Sequence, residues 1–550
     1  MADQLQTKDL VSAMSGKDTL NGWDVLVSYD EAQINNLLSI RADSVTALSN
    51  LQFSTQEKIP FTKPPKTMNI VWNLKLGKPK LFFLGSQGRV RLTFSLTGSR
   101  KPEVGDLWEI DPGFNVQLET QLLNVSGNLS DTSSPATADF VPVTDAAKSA
   151  TSANAVTLMP PDAGAAKAVC LNLVDDNILT EIVSTSKPPT PLPDELLLIQ
   201  TKLKEYIRNA AGLKYYIAGL SNSYASTAGS DLLKPKAFCF TCIPGNPEKK
   251  IPGSLCMWIS VEGGSDNGAR ASGQTSVTFH PGDKDLQSIP KGSTASVIFS
   301  HKLMTKYIIA AMTAKNIYND FSISSQTGQA GLEIKGKCKW KIQKDFSAFR
   351  KNGKFKAPLG FEYEFYSDIS FNMHDEDTTF SFGNQNNYRE ISIKYLSGVQ
   401  NLSWYNQVMT VSPTPPQFKT TSLKFSHGGS AKWIDDRTQG TKTPNLLKLQ
   451  FSLPSKFEIK DKSSTEKILF WDKNNAQPPD QYKDIDISLP PIDFNLRALD
   501  YFLTTNLVLP GAQLFIADEP SGKAGQDYGL FMPRDVILTG KVAKDLVKVQ

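Results

Sequence analysis

Cys239-Phe-Thr-Cys242 has the spacing of a dithiol redox pair or of half a zinc site. A zinc site would need a second Cys or His pair downstream, and none occurs at ligand spacing. The surrounding run Ala237-Phe-Cys-Phe-Thr-Cys-Ile243 reads as a strand, on which residues three apart point to opposite faces. That predicts two reduced, structural thiols. His374-Asp-Glu-Asp377 sets one imidazole beside three carboxylates, the donor types of metal binding and acid–base work. Consecutive side chains on a turn seldom converge on one ion, so a solvated turn between strands is the expectation there. Asp435-Asp436-Arg437 reads the same way. A nucleophilic triad would have to use one of the four histidines, His280, His301, His374 or His427, and no Gly-x-Ser-x-Gly elbow accompanies them. His301 falls on the apolar face of a helical pattern, where a core histidine is expected. Gly263-Gly-Ser-Asp-Asn-Gly-Ala269 lacks the Lys-Ser/Thr and the strand-to-helix setting of a phosphate loop. No residue is assigned a catalytic or metal role, and no cofactor is expected.

Composition narrows the class further. The chain has 550 residues, 40% of them hydrophobic and 21% charged, which suits a folded protein too long for one compact core. Its 59 basic and 55 acidic residues give a net charge of +4, too balanced for a nucleic-acid binder but compatible with weak contact to a membrane surface. No stretch approaches the roughly 18 apolar residues of a spanning helix. Met1-Ala-Asp-Gln-Leu-Gln-Thr-Lys-Asp9 lacks the basic-then-apolar pattern of a secretory signal. A cytoplasmic location is therefore expected, with release by another route left open.

The elements that would position a site are mainly strands. Met68–Leu76 alternates over most of its length, and Arg89–Leu96 places Val90, Leu92, Phe94 and Leu96 on one face. Phe361–Phe365 and Leu447–Leu453 repeat the pattern, which belongs to antiparallel sheets with one covered face. Four helical segments stand out: Tyr29–Ala42, Asp194–Ala211, Thr294–Lys315 and Leu496–Thr504. In the third, Val297, His301, Met304, Ile308, Ala311 and Met312 fall near one seam. Few helices on antiparallel sheets make an α+β protein. Residues 131–166, rich in Ala, Ser, Thr, Pro and Asp, predict a mobile insertion.

The most informative stretch is Thr19–Leu38. Gly22-Trp23-Asp24 opens an apolar segment, Ser28 and Glu31 have the spacing of a capping box, and Ile34, Leu37 and Leu38 come next as a buried helix face. This stretch resembles the start of the clostridial forty-seven-kilodalton protein and its OrfX relatives, encoded beside botulinum-type neurotoxins. Ile289–Met304, with its Ile-Pro-x-Gly opening, Ala498–Gly511 and Pro533–Gly540 resemble further segments of that family in the same order. The resemblance implies a tubular lipid-binding (TULIP) architecture: two elongated lobes, each with long helices wrapped by highly curved antiparallel sheets. The lobes are expected at 1–260 and 261–550, with 496–540 as a closing segment.

For function, the resemblance implies non-enzymatic binding of a lipid or another elongated apolar molecule, in an accessory role within a toxin or secondary-metabolite gene cluster. Met304, Ile308 and Met312 are the expected wall of an apolar groove, since pliable Met suits irregular ligands. Gly22, Trp23 and Asp24 are read as a structural signature. Two rivals stand beside this reading. One is a cyclase or isomerase acting on an apolar intermediate in the same cavity; the other is a structural assembly partner of sister OrfX-like chains. No nucleic-acid partner is expected.

Overall fold

In the computed structural model, residues 2–313 are described apart from 46–47, 59–63, 65, 131–138, 160–161, 163, 187–191, 223–229, 265–276 and 282–285. Between residues 314 and 501 the described residues are strand backbones alone, and description resumes over 502, 506–518 and 530–543 apart from 512 and 532. The chain divides into two compact units: residues 1–304 with 435–447 and 496–550, and residues 305–434 with 448–495. Among the described residues strands dominate both, the strand pairings whose registers are defined are antiparallel, and helices are few, which is the α+β class.

The first unit is built on an eight-stranded sheet whose centre is Val25–Asp30. On one side it pairs with Ser254–Val261 (Val27 opposite Met257), and on the other with Ala295–Phe299 (Val27 opposite Val297). Pro235–Ile243 extends one flank and Val536–Ala543 the other. All three central strands are buried along their whole length, so both faces of this sheet are covered. That explains why these mostly apolar strands, whose serines and Asp30 are also buried, carry no regular alternation. The sheet joins strands from both sides of residue 260.

On one face, Leu26, Trp258, Cys239, Ile298 and Ile537 form a cluster with Trp23 and with Leu10, Val11 and Met14 of the helix Thr7–Met14. Trp23 is 2% exposed. It is delivered by a tight turn in which Trp23 N donates to Leu20 O at 2.9 Å, with Asn21 at φ 51° and Gly22 at φ 82°. Left-handed φ at both central positions is the mirror-image turn for which Asn-Gly is the preferred pair.

A second, twelve-stranded sheet carries the order Leu51–Lys58, Thr67–Leu76, Arg89–Pro102, Phe114–Leu129, Ala165–Leu171, Tyr216–Ser221 and Leu507–Val508. Here the alternation read from sequence holds: Val90, Leu92, Phe94 and Leu96 are each at most 2% exposed. The helix Asp194–Ala211 turns Leu196, Ile199, Leu203 and Ile207 inward, all at most 1% exposed. The second unit contains an eight-stranded antiparallel sheet in which Leu332–Phe349 pairs with Lys356–Met373 along 18 residues of each strand.

Two expectations are corrected. The first of the expected helices runs Glu31–Ser44, and its cap is Asp30, whose Oδ1 accepts from Gln33 N at 2.7 Å. Ser28 lies inside the strand, and Glu31 instead accepts from Phe83 N at 2.8 Å, so the two form no capping box. The third helical segment begins at His301, because Ala295–Phe299 is a strand and Ser300 Oγ accepts from Leu303 N at 3.2 Å at the helix start. Within 131–166, the residues described from Asp139 onward include the strand Phe140–Pro142, and Phe140 and Ala166 are wholly buried. The expected helix Leu496–Thr504 lies almost entirely outside the described residues.

Candidate functional site

The sequence-derived candidates for chemistry resolve into packed structure. Cys239 and Cys242 lie on the strand Pro235–Ile243, both buried and free of disulfide. Burial pushes the Cys239 thiol up to about 12 and Cys242 well above its ordinary value, so neither offers the thiolate that redox or nucleophilic work requires. Cys256 meets a buried hydroxyl group: Ser28 Oγ lies 3.6 Å from its Sγ, and Ser288 Oγ donates to Ser28 Oγ at 2.6 Å. Burial raises the Cys256 thiol as well.

His301 pairs with a carboxylate, as a catalytic base would. Its Nδ1 lies 3.2 Å from Asp535 Oδ1, and its Nε2 lies 3.1 Å from Arg534 Nη2. A guanidinium has donors only, so Nε2 accepts and Nδ1 carries the hydrogen toward Asp535. The lone pair that would take a substrate proton is thus already occupied. Asp535, wholly buried, also accepts from His301 N at 3.0 Å, Thr19 N at 2.8 Å and Thr19 Oγ1 at 2.7 Å. Four donors on one carboxylate make a clasp that ties the opening segment, the His301 helix and the closing segment together. Sequence reading missed Asp535, whose partner in Thr19 lies 516 residues away.

A second polar junction is built from Arg41, Asp139 and Tyr216. Arg41 Nη1 lies 2.5 Å from Asp139 Oδ2, Tyr216 Oη donates to Asp139 Oδ1 at 2.6 Å, and the guanidinium sits 4.9 Å from the Tyr216 ring centroid. Burial first, and the Asp139 charge second, push the Tyr216 phenol up, so it stays a donor. This junction fastens Asp139 and the Phe140–Pro142 strand to the helix Glu31–Ser44.

The remaining candidates are a buried phenol and an open cleft. Tyr29 sits on the sheet face that carries Val25 and Val27. It is wholly buried, and among the described residues its hydroxyl, like those of Thr180 and Ser296, has no hydrogen-bond partner. Burial raises its phenol, so the proton stays on. Near the end of the sheet where Asp30 faces Ser254, a surface cleft of about 490 Å³ is lined by Asp3, Gln4, Leu5, Lys249, Lys250, Ile251, Lys291 and Gly292.

Of the expected groove wall, Met304 is wholly buried in the first turns of its helix, while the side chains of Ile308 and Met312 lie outside the described residues. Gly22, Trp23 and Asp24 form the turn into the central strand, and Asp24 Oδ2 accepts from Val261 N at 3.0 Å. His374–Asp377 is outside the described residues too, between strands paired with Met373 opposite Thr378. Among the described residues, no group of three or more His, Cys, Asp or Glu could hold a metal, and no helix is long and apolar enough to cross a membrane.

No family model and no curated protein matches this chain. Among solved structures, P47 of Clostridium botulinum E1 is similar at 10% identity, covering 95% of this chain and 99% of that one with a TM-score of 0.44. P47 from Clostridium botulinum A2 gives 12% identity, 95% and 98% coverage, and 0.41. A lipopolysaccharide binding protein gives 9% identity, 76% and 97% coverage, and 0.19. The structural neighbours of this chain thus include P47 proteins, the family that its segments between residues 19 and 540 resemble.

Proposed function

We propose that this chain binds a lipid or another elongated apolar molecule without transforming it. The observation that carries the reading is the Tyr29 hydroxyl, fully buried and without a partner among the described residues, on the sheet face that carries Val25 and Val27. A buried polar atom without a partner costs about 1–3 kcal/mol, so a partner that the protein itself does not supply is the economical explanation. Apolar sites characteristically hold their ligands by area and orient them by one or two such groups. An apolar molecule bearing a single hydroxyl, carbonyl or carboxyl oxygen would satisfy the phenol, while each buried methylene adds about 0.8 kcal/mol. The proposal extends to Met304, Ile308 and Met312 as a further part of the apolar wall, to TULIP-like lobes wrapped around long helices, and to an accessory role in a toxin or secondary-metabolite cluster.

Native mass spectrometry of the full chain, with organic extraction of what it carries, tests this. Tyr29→Phe preserves shape and removes the hydroxyl. It should lower ligand occupancy at unchanged fold, and a fluorescent fatty acid should bind the variant about tenfold more weakly. A parent protein that carries no extractable molecule and never binds the probe would sink the reading, and the assembly-partner alternative would take its place.

A further inference from the structure

The cleft beside the Asp30 end of the central sheet has a charge pattern that the proposed apolar site does not use. Three ammonium groups, from Lys249, Lys250 and Lys291, line it against one carboxylate, Asp3. Asp3 Oδ1 lies 3.1 Å from Lys249 Nζ and so offsets one of the three. Among the described residues, no carboxylate pairs with Lys250 or Lys291.

The backbone that presents these lysines is fixed. Asn246 and Ile251 exchange both backbone hydrogen bonds, at 2.7 and 2.9 Å, and Asn246 Oδ1 accepts from Lys249 N at 3.1 Å. Lys250 is held at φ 55°, a left-handed conformation that a residue with a β-carbon seldom adopts. On the facing side, Lys291 N donates to Leu5 O at 2.8 Å, and Gln4 Nε2 reaches Ile289 O and Pro290 O at 3.3 and 3.5 Å. Gly292, at φ 96°, has nothing within 4 Å of where a β-carbon would stand, so this side of the cleft is open to an entering group. Two cations without partners among the described residues, held on two separately anchored turns that share a cleft, form a receptor for a compact dianion.

We infer that the Lys249–Lys250–Lys291 cleft binds a phosphate-bearing ligand, with Lys250 and Lys291 as its principal contacts and Lys249 shared with Asp3. Phosphate is the dianion that point-charge ammonium groups bind most readily, and a cleft of about 490 Å³ has room for the organic part of a phosphomonoester. This site stands apart from the apolar one, because its residues lie on the turns outside the sheet and Tyr29 lies on a face between layers.

The test uses the full chain and two probes: pyrophosphate with calorimetry as the readout, and phosphatidylcholine vesicles with and without phosphatidic acid with flotation as the readout. Lys250→Ala/Lys291→Ala changes exposed side chains and should leave the melting temperature unchanged. It should weaken pyrophosphate binding about tenfold or more, and affinity in the parent should fall as salt rises. Lys250→Arg/Lys291→Arg should recover most of it. Pyrophosphate binding without flotation identifies a soluble phosphorylated ligand. Flotation that requires phosphatidic acid and is lost in the alanine variant identifies a lipid headgroup. No saturable binding of either probe, or binding that the alanine variant retains in full, overturns the proposal.

Discussion

Asp30 offers a quantitative check on the architecture, because its place as helix cap inside a covered sheet gives it conflicting demands. It is 5% exposed, and its Oδ1 accepts from Gln33 N, a bond that favours the carboxylate. Burial outweighs that bond, and with the neighbouring Glu31 charge it pushes the Asp30 carboxyl up to about 6 from 3.8. A group whose folded-state pKa lies above its unfolded value stabilises the fold below the unfolded pKa and loses that contribution as pH rises through the folded one. A rise of about 2 units corresponds to about 3 kcal/mol, present near pH 3.8 and gone above about pH 6. Asp30→Asn keeps an amide oxygen for the cap, since Asn and Asp cap about equally well, and removes the titration. The difference in unfolding free energy between variant and parent should therefore move in the variant's favour by about 2.4 kcal/mol between pH 4 and 7.5. Urea unfolding of the first resolved transition, run as matched pairs across that range, measures it, and taking the difference cancels the titration of the other carboxylates. A variant-minus-parent difference that stays flat with pH would show that Asp30 is hydrated, and that the end of the sheet is not covered.

Trp23→Ala should cost about 3–5 kcal/mol in the same assay, the usual penalty for emptying a buried aromatic site, and a variant that melts with the parent would contradict its packing against Leu10 and Met14. Asp535→Ala leaves Thr19 N, Thr19 Oγ1 and His301 N without their acceptor, so a loss of at least about 3 kcal/mol is expected, together with faster hydrogen exchange at Thr19. Gly98→Ala puts a β-carbon 2.1 Å from Asn73 O at a φ of 137°, and should lower the melting temperature or abolish soluble expression. Truncation after Asn495 removes Val536–Ala543, which pairs with both Ala295–Phe299 and Leu514–Ala517, and should give insoluble protein; a soluble, cooperatively melting truncation would refute the closing segment's place in the sheet.

Legibility in the sequence tracks the number of faces an element buries. The strand Arg89–Pro102 reads cleanly, because one face is covered and the alternation of Val90, Leu92, Phe94 and Leu96 survives. Asp194–Ala211 reads cleanly too, since a single stripe of Leu196, Ile199, Leu203 and Ile207 is turned inward. Val25–Asp30 and Ala295–Phe299 bury both faces, so neither period appears, and a mostly apolar segment of five or six residues suits helix and strand alike. The residues that settle the matter are the caps. Asp30 and Ser300 each stand at the end of a strand and accept from a backbone N–H three residues on, whereas the sequence reading put the first cap at Ser28 and began the third segment at Thr294. The clasp on Asp535 and the Arg41–Asp139 pair were not readable, since each joins residues at least 98 apart with no local pattern. The Lys249–Lys250–Lys291 cleft was hidden likewise, as three of the chain's 59 basic residues on two separate turns.

The same two strands share a local layout. Each leads through one capping residue into a helix: Val25–Asp30 into Glu31–Ser44, and Ala295–Phe299 through Ser300 into His301–Thr313. They pair antiparallel, with Val27 opposite Val297 at the centre. Antiparallel pairing puts the two helix starts, Glu31 and His301, at opposite ends of the paired strands. Their outer neighbours, Ser254–Val261 and Val536–Ala543, keep the arrangement, since each is antiparallel to the strand it flanks. The two ends differ in chemistry. At the Asp30 end the turns carry the lysine cleft, and at the Phe299 end stands the Asp535 clasp with Thr19, His301 and Arg534. One end is therefore closed by its own hydrogen bonds, and the other keeps two cations without partners among the described residues, which is where a ligand has something to gain.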